Sequence, residues 1–385
     1  MIPYGRQTIS EEDIQAVVEV LRSDYLTQGQ VVPQFEQALA DYVSAEYAVA
    51  VNSGTSALHV ACLALGLGAG DYLWTSPNTF VASANCGLYC GAQVDFVDID
   101  PDTYNISITA LAQKLASAEQ QGTLPKIVVP VHFAGQPCDM QAIAQLAEQY
   151  GFYVIEDASH AIGGQYQQQA IGCCQYADIT VFSFHPVKII TTAEGGVAVT
   201  NQLSLAEQMQ LLRSHGVTRD VNRMTHEPDG PWYYQQQDLG FNYRMTELQA
   251  ALGLSQLNSL PKFIERRQQL ARQYQSLLAS IPVSYQLQIE QSYSAWHLFV
   301  IRLQLTQINK TQQQVFTELR EMGVGVNVHY IPVHLQPYYQ NLGFKPGDFP
   351  EAEGYYQEAI SLPLFFELTD NQQSYIVECL RTIFG

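Results

Sequence analysis

Positive charge is what this sequence has least of. Its 385 residues carry 18 Lys and Arg against 37 Asp and Glu, a formal net charge of −19. A nucleic-acid binder needs cationic surface to replace phosphate counterions, so that class of partner is excluded. An anionic small molecule would have to be held by local amides and a few cations against the global field. No apolar run approaches the roughly 20 residues that span a bilayer. The opening Met1-Ile-Pro-Tyr-Gly-Arg6 lacks the charged-then-apolar pattern of a secretory leader, and a cytoplasmic protein without membrane contact is expected. The seven cysteines form no Cys-x-x-Cys pair and no Cys/His cluster of zinc spacing. No metal site is therefore expected, and thiols such as Cys62 read as reduced core residues. Internal repeats and low-complexity tails are also missing, and the short glutamine runs are compositional.

What is present is an alternation. Short apolar strands (Tyr47–Val51, Tyr72–Thr75, Val94–Ile99, Ile127–Val131, Phe152–Ile155, Ile179–Phe184, Gly196–Thr200) are interleaved with helical spacing (Thr55–Leu65, Val81–Tyr89, Ile108–Leu115, Met140–Tyr150). Ser10 with Asp13 opens an earlier helix in the manner of a capping box. The pattern predicts an α/β fold, a mostly parallel sheet with helices on both faces, and ligands bound outside the carboxyl ends of its strands. After Arg244 the pattern changes. Met245–Gln275 is helical around one proline, then come a strand (His297–Leu303), a helix (Thr311–Met322), a strand (Val326–His329) and a terminal helix. The expected division is a large domain with an N-terminal arm, residues 1–245, and a smaller C-terminal α/β domain, residues 246–385. Ser214–Tyr234 reads as a long polar loop.

Chemistry enters with Lys188, in the run Val181-Phe-Ser-Phe-His-Pro-Val-Lys188. A buried strand, a turn at Pro186 and one isolated amine suit a lysine that condenses with the aldehyde of pyridoxal 5'-phosphate (PLP), once burial lowers its pKa. Taken alone, it is equally a surface lysine between strands. Asp157, in Tyr153-Val-Ile-Glu-Asp-Ala-Ser-His160, lies just past another buried strand, where a carboxylate could pair with a protonated pyridine nitrogen or simply cap a helix. His160 could stand beside the ring hydroxyl or be structural. Asn52-Ser-Gly-Thr-Ser-Ala57 joins a strand to a helix start, where free amides could cradle a phosphate or Ser53 could merely act as a cap. Ser183 could add a hydroxyl to that phosphate. Phe80 suits either stacking on a ring or the core. Asn242 alone says only that the chain turns.

In order and spacing these segments resemble the nucleotide-sugar aminotransferases of the DegT–DnrJ family, which have the aspartate-aminotransferase fold, PLP fold type I. The motifs are Asn-Ser-Gly-Thr-Ser-Ala, Glu-Asp-Ala-Ser-His, Phe-Ser-Phe-His-x-x-Lys and Asn-Tyr-Arg-Met. The resemblance implies that Lys188 carries the cofactor, with Asp157 as partner of the ring nitrogen and Phe80 as its stacking partner. It implies that Gly54, Thr55 and Ser183 hold the phosphate, joined by Asn242 from the neighbouring subunit of a homodimer. Arg213-Ser-His-Gly216 and Gly253-Leu-Ser-Gln-Leu257 resemble most the branch serving pseudaminic acid synthesis. That likeness implies a UDP-linked 4-keto-6-deoxy sugar and L-glutamate as donor. The implied substrate contacts are Tyr4, Asp24, Tyr25, Leu26, Thr27, His185, Val328, His329, Tyr330 and Ile331; of these Asp24, Tyr25 and Ile331 depart from that branch. Other keto sugars, dTDP-linked or 3-keto, stand as the alternative. A sugar dehydratase of the same fold would replace the lysine, and a sensor would have no use for the complete set.

Overall fold

The computed structural model describes all 385 residues, Met1–Gly385. Seven strands form the main sheet: β1 (Tyr47–Val51), β2 (Tyr72–Thr75), β3 (Gln93–Phe96), β4 (Ile127–Val129), β5 (Tyr153–Asp157), β6 (Ile179–Ser183) and β7 (Gly196–Thr200). Their order across the sheet is β1-β7-β6-β5-β4-β2-β3. All run parallel except β7, which pairs antiparallel with both β1 and β6. Strands buried on both faces read as continuous apolar runs, which is why Val49, Val51, Ile127, Val129, Ile155 and Val181 are shielded from solvent. Helices cover the two faces, and their inward side chains make two separate apolar cores, one on each side of the sheet.

The helices that matter for the site are α1 (Glu11–Leu21), α2 (Val31–Val43), α3 (Gly54–Ala64), α4 (Ala82–Tyr89) and α5 (Ile108–Gln121), then α6 (Met140–Tyr150), α7 (Leu203–Leu212) and α8 (Glu247–Leu277). Helix α1 begins with the expected capping box, Ser10 Oγ accepting from the Asp13 amide and Asp13 from the Ser10 amide. Helix α2 was not legible in sequence. Val32, Phe35, Leu39 and Val43 are buried at helical spacing, yet Gln30 offers it no side-chain cap.

Helix α8 runs 31 residues around Pro261. Ala250, Leu257, Leu260 and Ile264 join a core of the main sheet, whereas Leu270, Ala271 and Tyr274 join a third core. That core is built on an antiparallel sheet of Val283–Tyr285, Phe299–Leu303 and Ala359–Leu362. The strand expected over Val326–His329 is not formed. That segment makes only an isolated bridge, Asn327 to Ser361, before His329 spends its Nδ1 on the Ser361 hydroxyl (2.7 Å). Within Ser214–Tyr234, Val217–Thr218 pairs with Gln235–Gln236, so the polar loop is a long hairpin.

Candidate active site

At the carboxyl ends of β5 and β6 the chain leaves a cavity of about 550 Å³. Ser53, Gly54, Thr55, Thr79, Phe80, Asp157, Ser159, His160, Ser183, His185, Lys188 and Glu194 line one side, and Tyr4, Asn327, Val328, His329 and Tyr330 the other. Lys188 stands on the turn after β6, anchored by its amide to the His185 carbonyl (2.8 Å). Its side chain is only partly open to the cavity. Burial pushes its ammonium down to about 8, against a smaller upward pull from the Asp157 carboxylate. Asp157 is the last residue of β5 rather than the first beyond it. It caps no helix: Oδ2 accepts from the Ser83 hydroxyl (2.6 Å) and Oδ1 from the Ser159 amide (3.1 Å). These two donors fix the direction of the buried carboxylate.

Ser53 does cap α3, accepting from the Ser56 amide (3.1 Å). The Gly54 and Thr55 amides, in the first turn, have no helical partner and lie at the positive end of α3. Close packing makes this cradle. A Cβ on Gly54 would lie 2.9 Å from that of Ser183, and one on Gly196 would lie 2.5 Å from the Ser53 carbonyl. Phe80 is 60% exposed, so it does not belong to the core; its ring faces Tyr330 (6.3 Å between centroids).

Between the two sides, His160 and the wall of Tyr4 and Tyr330 form a network of neutral rings. His160 accepts from the Ala134 amide at Nδ1 (3.3 Å), so Nε2 carries the hydrogen and donates to the Tyr330 hydroxyl (3.1 Å). Burial, reinforced by Lys188 and His329, pushes the His160 imidazole well below its ordinary range. Burial likewise takes His329 down to about 3 and lowers His297, whose ring lies 4.4 Å from that of His160. Burial raises the Tyr330 and Tyr4 phenols. Near neutrality this wall therefore offers hydrogen bonds and ring faces without formal charge.

Asp24, Tyr25, Leu26, Thr27, Asn242 and Ile331 do not line the cavity. Asp24–Thr27 and Asn242 are exposed, but the Asn242 segment lies beside the cradle. Asn52 donates its amide to the Tyr243 carbonyl (2.8 Å), and Val51 bridges to Arg244. Ser83, Ser159, Asn327 and Glu194 were not singled out in sequence. Ser159 lay inside a quoted motif. Ser83 is 74 residues from Asp157, and no local pattern signals their contact.

The residues fit PLP. An amine shifted toward neutrality, a fixed buried carboxylate and an amide cradle with a hydroxyl converge on one cavity.

Comparison with known proteins agrees. The DegT/DnrJ/EryC1/StrS aminotransferase family matches residues 7–381. The spore coat polysaccharide biosynthesis protein SpsC of Bacillus subtilis (strain 168) is 41% identical over 386 residues, spanning 99% of this chain and 97% of SpsC. Helicobacter pylori PseC, an aminotransferase involved in the biosynthesis of pseudoaminic acid, superposes with a TM-score of 0.90 at 31% identity, covering 100% of this chain and 99% of PseC. Spr1654 of Streptococcus pneumoniae in its PMP form gives the same score and identity, again over 100% and 99%.

Proposed function

This chain belongs to the DegT/DnrJ/EryC1/StrS aminotransferase family, and from that premise we propose that it moves the amino group of L-glutamate onto the keto carbon of a UDP-linked 4-keto-6-deoxy-N-acetylhexosamine. The fold is PLP fold type I and the cofactor is PLP. When bound, PLP supplies the aldehyde that carries the amino group and the ring that accepts the electron pair of the deprotonated carbon.

Lys188 supplies the base. With a pKa near 8 its Nζ is partly neutral at physiological pH, so it can take a proton from the donor's α-carbon and return one to the sugar carbon. Asp157 would hold the pyridine nitrogen in its protonated form, with Ser83 and the Ser159 amide keeping the carboxylate aimed. The Gly54 and Thr55 amides and the Ser183 hydroxyl would hold the phosphate, and Phe80 would cover one ring face. Because His160 donates to the Tyr330 oxygen, the Tyr330 hydroxyl has its own hydrogen free to donate to a sugar oxygen.

The single observation carrying this reading is the convergence of a partly neutral Lys188 and a doubly bonded Asp157 in one cavity of the family's fold. The nucleotide and sugar are chosen from the likeness at Tyr4, Thr27 and His329-Tyr330, together with the fit to PseC.

A homodimer with shared sites belongs to the same proposal. The cavity wall contains no arginine to meet a diphosphate, and Asn242 with Asp24–Thr27 lies outside its own chain's cavity. A two-fold partner would bring those groups to the mouth. The test of substrate is a panel of UDP- and dTDP-linked ketosugars with glutamate, read as 2-oxoglutarate released. Turnover should be highest with the UDP-linked 4-keto sugar. Preference for a dTDP-linked or 3-keto sugar would reject the assignment.

A further inference from the structure

Helix α2 has no cap of its own, and what caps it instead comes from the first residue of α8. Gln30, before its first turn, makes no side-chain bond to it. The carboxylate of Glu247 accepts from the amides of Gly29 (2.8 Å), Val31 (2.6 Å) and Val32 (3.3 Å). The Glu247 amide donates in the other direction, to the Leu26 carbonyl (3.0 Å). One residue therefore grips both ends of the segment from Leu26 to Val32. The grip is tight: a Cβ on Gly29 would lie 3.1 Å from Glu247 Oε2 and 2.9 Å from the Tyr25 Cβ, so backbone and carboxylate approach as only glycine permits. Glu247 is 1% exposed, so water cannot stand in for the lost acceptor.

Glu247 is also the first residue of α8, five positions after Asn242, on the stretch whose Tyr243 and Arg244 pair with the end of β1. The phosphate cradle begins at Gly54, three positions beyond the end of β1.

We propose that Glu247 is a positioning residue that fixes the exposed Asp24–Thr27 loop to the Asn242 segment, so that the two present one rigid surface to the nucleotide sugar. This rests on the reading that Asp24–Thr27 contacts that substrate. A mere cap for α2 would support the whole protein equally. A positioning residue affects the sugar step, because the amino donor is small and meets the cofactor inside the cavity.

The test uses Glu247→Gln as holoenzyme. The amide side chain keeps the volume but turns an NH2 donor toward backbone donors. Each half-reaction is followed alone by cofactor absorbance, first with L-glutamate, then with UDP-linked 4-keto-6-deoxy-N-acetylhexosamine. The KM for the sugar should rise about tenfold, while the glutamate step stays within about twofold. Amide exchange at Gly29, Val31 and Val32 should accelerate, a readout independent of turnover. Glu247→Asp, which keeps the acceptor one methylene shorter, should show smaller effects of the same kind, and it carries the test alone if Glu247→Gln does not fold. Equal losses in both half-reactions, or an unchanged sugar KM, would overturn the proposal. Thr27→Ala separates the two ideas. If it leaves the sugar step untouched, the loop does not meet substrate. If it raises the sugar KM and Glu247→Gln does not, the loop meets substrate without needing the clamp.

Discussion

Lys188→Met should stabilise the cofactor-free protein, and by an amount that depends on pH. The side chains are similar in length, so packing is nearly kept. The change removes an amine that burial has pushed from its ordinary 10.5 to about 8. At about 1.4 kcal/mol per tenfold, the folded state then carries a penalty of about 3 kcal/mol at pH 7. Below pH 8 the amine is protonated whether the chain is folded or not, and the penalty is complete. Between pH 8 and 10.5 the unfolded chain binds more protons than the folded one, so wild-type stability rises with pH relative to the variant. The margin should fall to about 2 kcal/mol at pH 9 and vanish above 10.5. Urea unfolding of both PLP-stripped proteins at pH 7 and pH 9 measures it, since titrating groups that do not interact with Lys188 cancel in the difference. A margin that does not change with pH, or a variant less stable at pH 7, would refute the burial argument. The same shift leaves roughly one amine in four neutral at pH 7.5, against about one in a thousand for a free lysine. The borohydride-reducible PLP adduct should accordingly form on Lys188 and be missing from the Met variant.

Asp157→Asn should retain PLP through Lys188 and the cradle yet lose turnover by roughly a hundredfold, because the amide cannot favour a protonated ring. Asp157 pulls the Lys188 pKa upward, so in this variant the pH profile of PLP capture should move to lower pH; an unmoved profile with normal turnover contradicts both roles. Mixed dimers refolded from Lys188→Ala and Asn242→Ala should exceed the mean activity of the two parents, because one of the two shared sites then escapes both lesions. No recovery, with mixed dimers confirmed by native mass spectrometry, would place Asn242 outside its partner's site.

How much of this was legible in sequence follows from how local each signal is. Asp157 and Ser183 stand at the ends of buried strands, where an apolar run stops and a polar group must face the ligand side; Lys188 stands on the turn just beyond one, and Gly54 opens the helix that follows another. A strand end is a one-dimensional feature, so a linear reading finds it. The same locality explains the main sheet and most of its helices. Helix α2 escaped because its cap is supplied by Glu247, more than 200 residues away. Ser83 escaped because only the folded sheet brings α4 to Asp157. Val326–His329 looked like a strand by composition, but its polar groups bond to side chains and to Ser361 in place of a ladder. Phe80 had two readings in sequence, and its exposure in the cavity wall removes the core one.

Helix α8 belongs to both lobes at once, and this sets how the enzyme can move. Its 31 residues span about 46 Å, and its side chains are embedded first in one core and then in another. Two lobes joined by a flexible linker can gape and shut around a ligand; two lobes threaded on one rod cannot, unless the rod bends. Pro261 withholds an amide from the helix about one turn before the rod leaves the first core, so bending is cheapest there. Any gaping of the cleft is thus tied to a bend of the rod near Pro261. On the proposed reading, a bulky nucleotide sugar and a small amino acid enter the same slot in turn and are told apart by what its walls touch.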